Sequence, residues 1–148
     1  MKSNQQTDII EAYVAAFTSL RADNIDVLLK LVDNNVHFTD PFNDVRGKDG
    51  FRMIFAHMFK TCDKPRFTVT DIAHSDQATY LRWKMTATLK SWPKSLLLLS
   101  GMSEIHIGED GLIIAHIDHW DSASQLLAKL PVINVLINPI LRRFRVPV

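Results

Sequence analysis

Cysteine, glycine and surplus charge are all scarce in this chain, and each shortage removes a way of working. Cys62 is the only cysteine among 148 residues, so no intramolecular disulfide can form, and Thr61, Asp63 and Lys64 beside it make no metal or redox motif. Seventeen basic side chains against sixteen acidic ones give a net charge of +1, too even for the broad positive field that nucleic-acid binding needs. The five glycines form no Gly-x-Gly-x-x-Gly, Walker or Gly-x-Ser-x-Gly arrangement, which excludes the usual phosphate cradles and the nucleophile elbow. Apolar runs such as Leu96–Leu99 and Leu112–Ala115 fall far short of a membrane span. The opening residues, Met1 to Gln6, are polar and carry no leader-like apolar core. His37, His57, His74 and His106 are scattered without ligand spacing. The expectation is a cytoplasmic protein with no metal, no cofactor, no nucleic-acid partner and no integral membrane segment.

What is present suits an ordinary globular domain: 47% of residues are hydrophobic and 22% charged, enough apolar surface for one core. Residues 1–148 read as a single domain with its core at about 5–122 and a helical tail at 123–148. Ser3-x-x-Gln6 offers a capping box, and Ile10, Tyr13, Phe17 and Leu20 follow at helical spacing. A shorter helix is predicted from Asn24, burying Ile25, Leu28, Leu31 and Val32 and ending around Asp33–Asn35. Val36–Thr39 reads as a short strand stopped by Pro41, which puts Asp40 at its end. Phe51, Ile54, Phe55, Met58 and Phe59 form the apolar stripe of a third helix after the bend at Gly47–Gly50, ending before Pro65.

The period then changes to two. Strands are predicted over Arg66–Ala73, Ala78–Lys90, Leu96–Ile107 and Leu112–Trp120, with turns at Ser75–Gln77 and Gly108–Gly111 and a looser loop at Ser91–Ser95. In the second of these, Leu81, Trp83, Met85, Ala87 and Leu89 share one face. Ser122-x-x-Gln125 is a second capping box for a helix that Pro131 ends. Helices followed by antiparallel strands make an α+β layout with the helices on one face of the sheet.

Chemistry concentrates at two places, Phe38-Thr39-Asp40-Pro41 and the late run His116-Ile-Asp118-His-Trp120. Both put an ionisable group among apolar ones, where a carboxylate is costly to charge and so useful for moving protons. Each has a plainer explanation. Asp40 before Pro41 can simply organise a turn, and Tyr13 on an apolar stripe can simply be core. His116 and Asp118 share a strand face with Trp120, but period-two alternation does not decide whether that face is inward, because Leu112 and Ile114 lie on it too. The alternative turns Ile113, Ala115 and Ile117 to the core, and a one-residue slip brings in His119 and Asp121.

Tyr13-Val-Ala-Ala, Thr39-Asp-Pro41, Arg46-Gly47, Glu109-Asp-Gly111 and Trp120, in this order, resemble the nuclear transport factor 2-like superfamily, and within it the SnoaL-like polyketide cyclase and ketosteroid isomerase group. The resemblance implies a cone-shaped, cystatin-like α+β fold, three N-terminal helices packed on a curved antiparallel sheet. It implies that Tyr13 donates to a developing oxyanion and that Asp40 shuttles a proton. Ser103 stands where the isomerases keep a second acidic donor, and Asp118 stands seven residues after Gly111, as the catalytic aspartate of the cyclases does. His116 and Asp118 also match the histidine and aspartate with which scytalone dehydratase works. Epoxide hydrolases of this fold carry Arg-x-Asp where this chain has Gly101-Met102-Ser103, which disfavours that reaction.

The resemblance thus implies a cofactor-independent isomerase, cyclase or dehydratase acting on a small hydrophobic carbonyl compound, in the manner of a steroid isomerase or polyketide cyclase. Asp40, Asp118, Tyr13 and His116 are the candidate catalytic residues, and Phe17, Phe38, Phe55, Trp83, Ser103 and Trp120 the candidate substrate contacts. The alternative is a non-catalytic ligand-binding or dimeric interaction module of the same fold. By family analogy a homodimer is expected through the sheet face that carries Leu98 and Met102. Arg142, Arg143 and Arg145 beside Phe144 have the character of a membrane-surface contact. Against that, Val132–Leu141 is expected to pack over the pocket mouth or a subunit interface and leave the arginines in water.

Overall fold

The computed structural model describes residues 2–91 and 94–147, with side chains from Gln6 onward; the Ser3 side chain of the first capping box and the loop residues Trp92 and Pro93 lie outside these. Helix α1 spans Lys2–Thr18 and α2 Ile25–Leu29; strand β1 is Val32–Thr39 and β2 Asp44–Arg46. Then come α3 (Gly47–Thr61), β3 (Cys62–His74), β4 (Thr79–Leu89), β5 (Leu96–Ile107) and β6 (Ile113–His119). The chain closes with α4 (Ser122–Gln125), a 3-10 turn at Leu127–Lys129 and α5 (Ile133–Phe144). No helix among the described residues is long and apolar enough to cross a membrane.

The six strands form one sheet in the order β2-β1-β6-β5-β4-β3. The long strands are antiparallel as expected, but β1 runs parallel to β6, so the sheet is mixed. That pairing takes over Val32 and the polar triplet Asp33–Asn35, where the sequence predicts the end of α2. Val32 and Val36 are both fully buried, and a register irregularity between Val32 and His37 absorbs the exposed residues between them. The chain turns at Asp40 as expected, its carboxylate accepting the turn's N–H groups, and Asp44–Arg46 then form a strand, not predicted from the sequence, that folds back on β1.

Two further differences concern the end of the chain. The cap of α4 is Asp121, whose carboxylate accepts from Ser124 N at 2.9 Å, instead of Ser122. The helix is one turn long because Gln125 reaches sideways, its Oε1 accepting from Ser100 N at 2.7 Å and its Nε2 donating to Ser100 O at 3.0 Å. Ser100 lies beyond the last β5–β6 pair, Met102 with His119, so Gln125 satisfies backbone groups that β6 leaves open. The tail, α5, contributes no side chain to the interior hollow described below, and Val135, Leu136, Ile140 and Phe144 stand in solvent. Packing of Val132–Leu141 over the pocket mouth is therefore corrected.

The core lies between the helices and the inner face of the sheet. Tyr13 and Phe17 of α1, Phe38 of β1, Phe51 and Phe55 of α3 and Leu81, Ile105 and Ile113 of the sheet pack there, each large apolar side chain contributing about 1.5–3 kcal/mol by leaving water. Toward the other end Cys62, Trp83, Met85, Ala87, Leu97 and Leu99 form a second cluster with half-buried Trp120 and Leu126. The alternation predicted for β4 is observed, with Leu81, Trp83, Met85 and Ala87 buried and their neighbours outward.

Candidate active site

A hollow of about 340 Å³ opens beside this second cluster. Phe17, Phe38, Phe55, Trp83 and Trp120, all expected as substrate contacts, lie on its wall together with Asp40 and Asp118. The wall also holds Phe42, Asn43, Met58, Phe67 and Leu126, none of them among the contacts expected from the sequence. Phe67 was signalled by its place on an alternating strand. Phe42 and Leu126 were not, since each depends on how a turn folds back over the cluster. Phe42 meets Trp120 edge-on, with ring centroids 5.8 Å apart.

Tyr13, Ser103 and His116 lie behind the wall, not on it. They belong to a continuous hydrogen-bonded line: the indole Nε1 of Trp83 is 2.9 Å from Ser103 Oγ, which is 2.5 Å from Asp118 Oδ1. The same Oδ1 is 2.8 Å from His116 Nε2, and His116 Nδ1 is 2.7 Å from the Tyr13 hydroxyl. The partners fix the directions. An indole N–H can only donate, so Ser103 accepts from Trp83 and gives its own hydrogen to Asp118. With the carboxylate ionised and the imidazole neutral, His116 donates through Nε2 and its Nδ1 accepts from Tyr13. In that arrangement the Tyr13 hydroxyl donates its hydrogen bond to His116. Burial first, and the Asp118 charge second, push the Tyr13 phenol well above its ordinary pKa, so the hydroxyl stays protonated.

Sheet register builds this line. Ser103 and Asp118 are directly paired across β5 and β6, while Trp83 pairs with Gly101. A side chain on Gly101 would meet the Trp83 ring at 2.7 Å and His119 O at 2.8 Å; its absence lets the indole cross β5 and reach Ser103. On β6 the alternation is broken. Pairing slips between His106 and Ile107, so Ile113 and His116 are both buried while Ile114 is exposed. This bulge sends His116 inward without Ile114, which simple period-two reading had placed on the same face. His119 is exposed and Asp121 caps α4, so the slipped register is not the one formed.

Asp118 Oδ1 is doubly held, and among the described residues Oδ2 has no hydrogen-bond partner. Asp40 is held differently: its Oδ1 accepts from Phe42 N, Asn43 N and Asn43 Nδ2 at 2.8, 2.7 and 3.0 Å. It both organises the turn and lines the hollow. No buried side-chain polar atom among the described residues lacks a partner. Among those residues, no group of three or more His, Cys, Asp or Glu is placed to hold a metal.

Residues 10–116 match the family model of the SnoaL-like domain. The chain belongs to the SnoaL-like domain family. No curated protein matches its sequence significantly, but many solved structures share its fold. A protein of ketosteroid isomerase-like fold from Catenulispora acidiphila, in complex with trimethylamine, superposes with a TM-score of 0.69 at 16% identity, over 83% of this chain and 93% of that one. TerC, co-crystallized with polyporic acid, gives 0.68 at 15% over 81% and 94%. A protein assigned to the SnoaL-like polyketide cyclases from Shewanella denitrificans gives 0.67 at 11% over 84% and 98%. At these identities the likeness is one of fold. This SnoaL-like domain therefore has the α+β, nuclear transport factor 2-like architecture.

Proposed function

We propose that this SnoaL-like domain is a cofactor-independent enzyme that moves a proton on a small hydrophobic carbonyl compound, with Asp118 as the proton carrier. The observation that supports it is the setting of that carboxylate: one oxygen is held by Ser103 and His116, the other has no hydrogen-bond partner among the described residues, and the residue lines an apolar hollow. In the proposed step Oδ2 takes a proton from the carbon next to the carbonyl, the C–H electron pair becomes the C=C bond of an enolate, and the charge moves to oxygen. Returning the proton to another carbon completes an isomerisation; attack of the enolate carbon on a second carbonyl forms the C–C bond and an alkoxide, which takes the proton back from Asp118 to complete a cyclisation. Trp120 lies on the same wall and its indole N–H is assigned the oxygen, while Asn43 is committed to Asp40. His116 and Tyr13 keep Asp118 oriented, and Asp40 shapes the mouth and stands as the second carboxylate.

The test is proton exchange. A panel of cyclic β,γ-unsaturated ketones is incubated with protein in D₂O and followed by NMR. Exchange or isomerisation above the buffer rate is expected, lost on Asp118→Asn with ligand affinity largely kept. Binding without any exchange by the natural chain would leave a ligand carrier of the same fold, the reading that the turn-bound Asp40 favours.

A further inference from the structure

Helix α5 is built inside out. Its half-buried positions are Asn134, Ile137, Asn138 and Leu141, so both asparagines lie on the covered side. Facing solvent instead is the i, i+4 stripe Val132, Leu136, Ile140 and Phe144, with relative exposures of 71%, 69%, 57% and 82%. Stripes of this size mark an interaction surface. Within the chain the helix packs mainly against the 3-10 turn at Leu127–Lys129. Val132 turns the corner into it at φ +71°, a backbone that a β-branched residue rarely adopts.

Charge selects the occupant. The four charged residues after Asp121 are Lys129, Arg142, Arg143 and Arg145, all basic, which leaves 13 basic against 16 acidic side chains in the rest of the chain. Three of the four flank Phe144 at the helix's end. Two such tails laid together would add six arginines to one contact with no acidic partner in the segment. An anionic lipid surface takes both features at once, since apolar side chains enter the acyl boundary while arginines meet phosphate headgroups.

We propose that α5 seats this protein on an anionic membrane surface. The 3-10 turn joins the helix to Leu126 on the wall of the hollow; on the function proposed above, docking places that hollow beside a bilayer in which an apolar substrate dissolves. Cosedimentation with vesicles tests the docking without reference to the chemistry. The full chain is expected to pellet with phosphatidylcholine vesicles containing about one-third phosphatidylglycerol and weakly with phosphatidylcholine alone. Replacing Arg142, Arg143 and Arg145 by Gln should cut partitioning on the order of 100-fold, and the double variant Leu136→Asp, Ile140→Asp should abolish it. All these side chains are exposed, so circular dichroism and the melting temperature should stay unchanged. Failure of the natural chain to bind anionic vesicles overturns the proposal. So does binding that survives either set of substitutions, or an oligomer in solution that the Leu136, Ile140 variant dissolves, which would make a second copy the occupant.

Discussion

Strands β5 and β6 carry two histidine–carboxylate groupings only a few residues apart, one on each side of the sheet, and the contrast between them isolates what burial does. Inside, His116 and Asp118 have side-chain exposures of 1% and 15%. Outside, Glu104 accepts from His106 at 2.6 Å and His119 at 3.2 Å, with exposures of 25%, 32% and 58%. In both, a histidine stands two residues from its carboxylate partner, His116 with Asp118 and His106 with Glu104. The inner pair is tied on both sides, by Ser103 and by Tyr13, and borders an apolar hollow. The outer trio is wetted, and the histidine hydrogen bonds, His106 first, hold Glu104 below the usual carboxylate range, as expected of a solvated ion cluster.

The sharpest break between the two lies in activity. On the proposed function, Asp118→Asn should slow ketone exchange by about 10³-fold, whereas Glu104→Gln should leave it within about twofold; equal effects would erase the distinction. Stability comes next. His116→Ala strands the Tyr13 hydroxyl and empties part of the core, which should cost about 2–4 kcal/mol in urea unfolding, against less than about 0.5 kcal/mol for His119→Ala.

The alkaline limb separates them further. The folded Tyr13 pKa lies above that of the unfolded chain, so its contribution is complete below about pH 10 and declines as pH rises beyond that. The melting temperature should therefore fall more steeply above pH 10 in the natural chain than in Tyr13→Phe. The smallest effect is acidic. Because Glu104 is lowered in the folded state, its contribution is present above about pH 4.3 and is lost as pH falls through the depressed value. Solvent screening keeps that contribution to about half a kcal/mol or less, so Glu104→Gln should flatten the acid limb only slightly, and less in high salt.

Much of this was legible from residue order. The apolar stripe Ile10, Tyr13, Phe17 and Leu20 and the β4 alternation reappear as buried faces because local periodicity and core burial demand the same thing. The span Leu96–Ile107 was read to the residue, being bounded by a loop and by a glycine turn with Gly111 at φ +81°. Other features required long-range pairing. Asp33–Asn35 looks like a helix end until β1 finds β6 as a parallel neighbour. Ser122 looks like a cap until Asp121 takes the N–H and Gln125 is drawn to Ser100. The candidate site divides in the same way: its residue types were visible, but which of them face the hollow and which stand behind it was not.

The sequence by itself determined the α+β class, the helix and strand faces and the presence of two aspartates in apolar company, because spacing of 3.6 and 2 and the cost of burying charge are local properties. Only the tertiary structure decided that His116 turns inward while Ile114 turns out, that Tyr13 hydrogen-bonds to His116, and that α5 shows its apolar side to solvent. A β-bulge, a cross-strand register and a helix's orientation are set by contacts between residues far apart in the chain, and no local pattern carries that information.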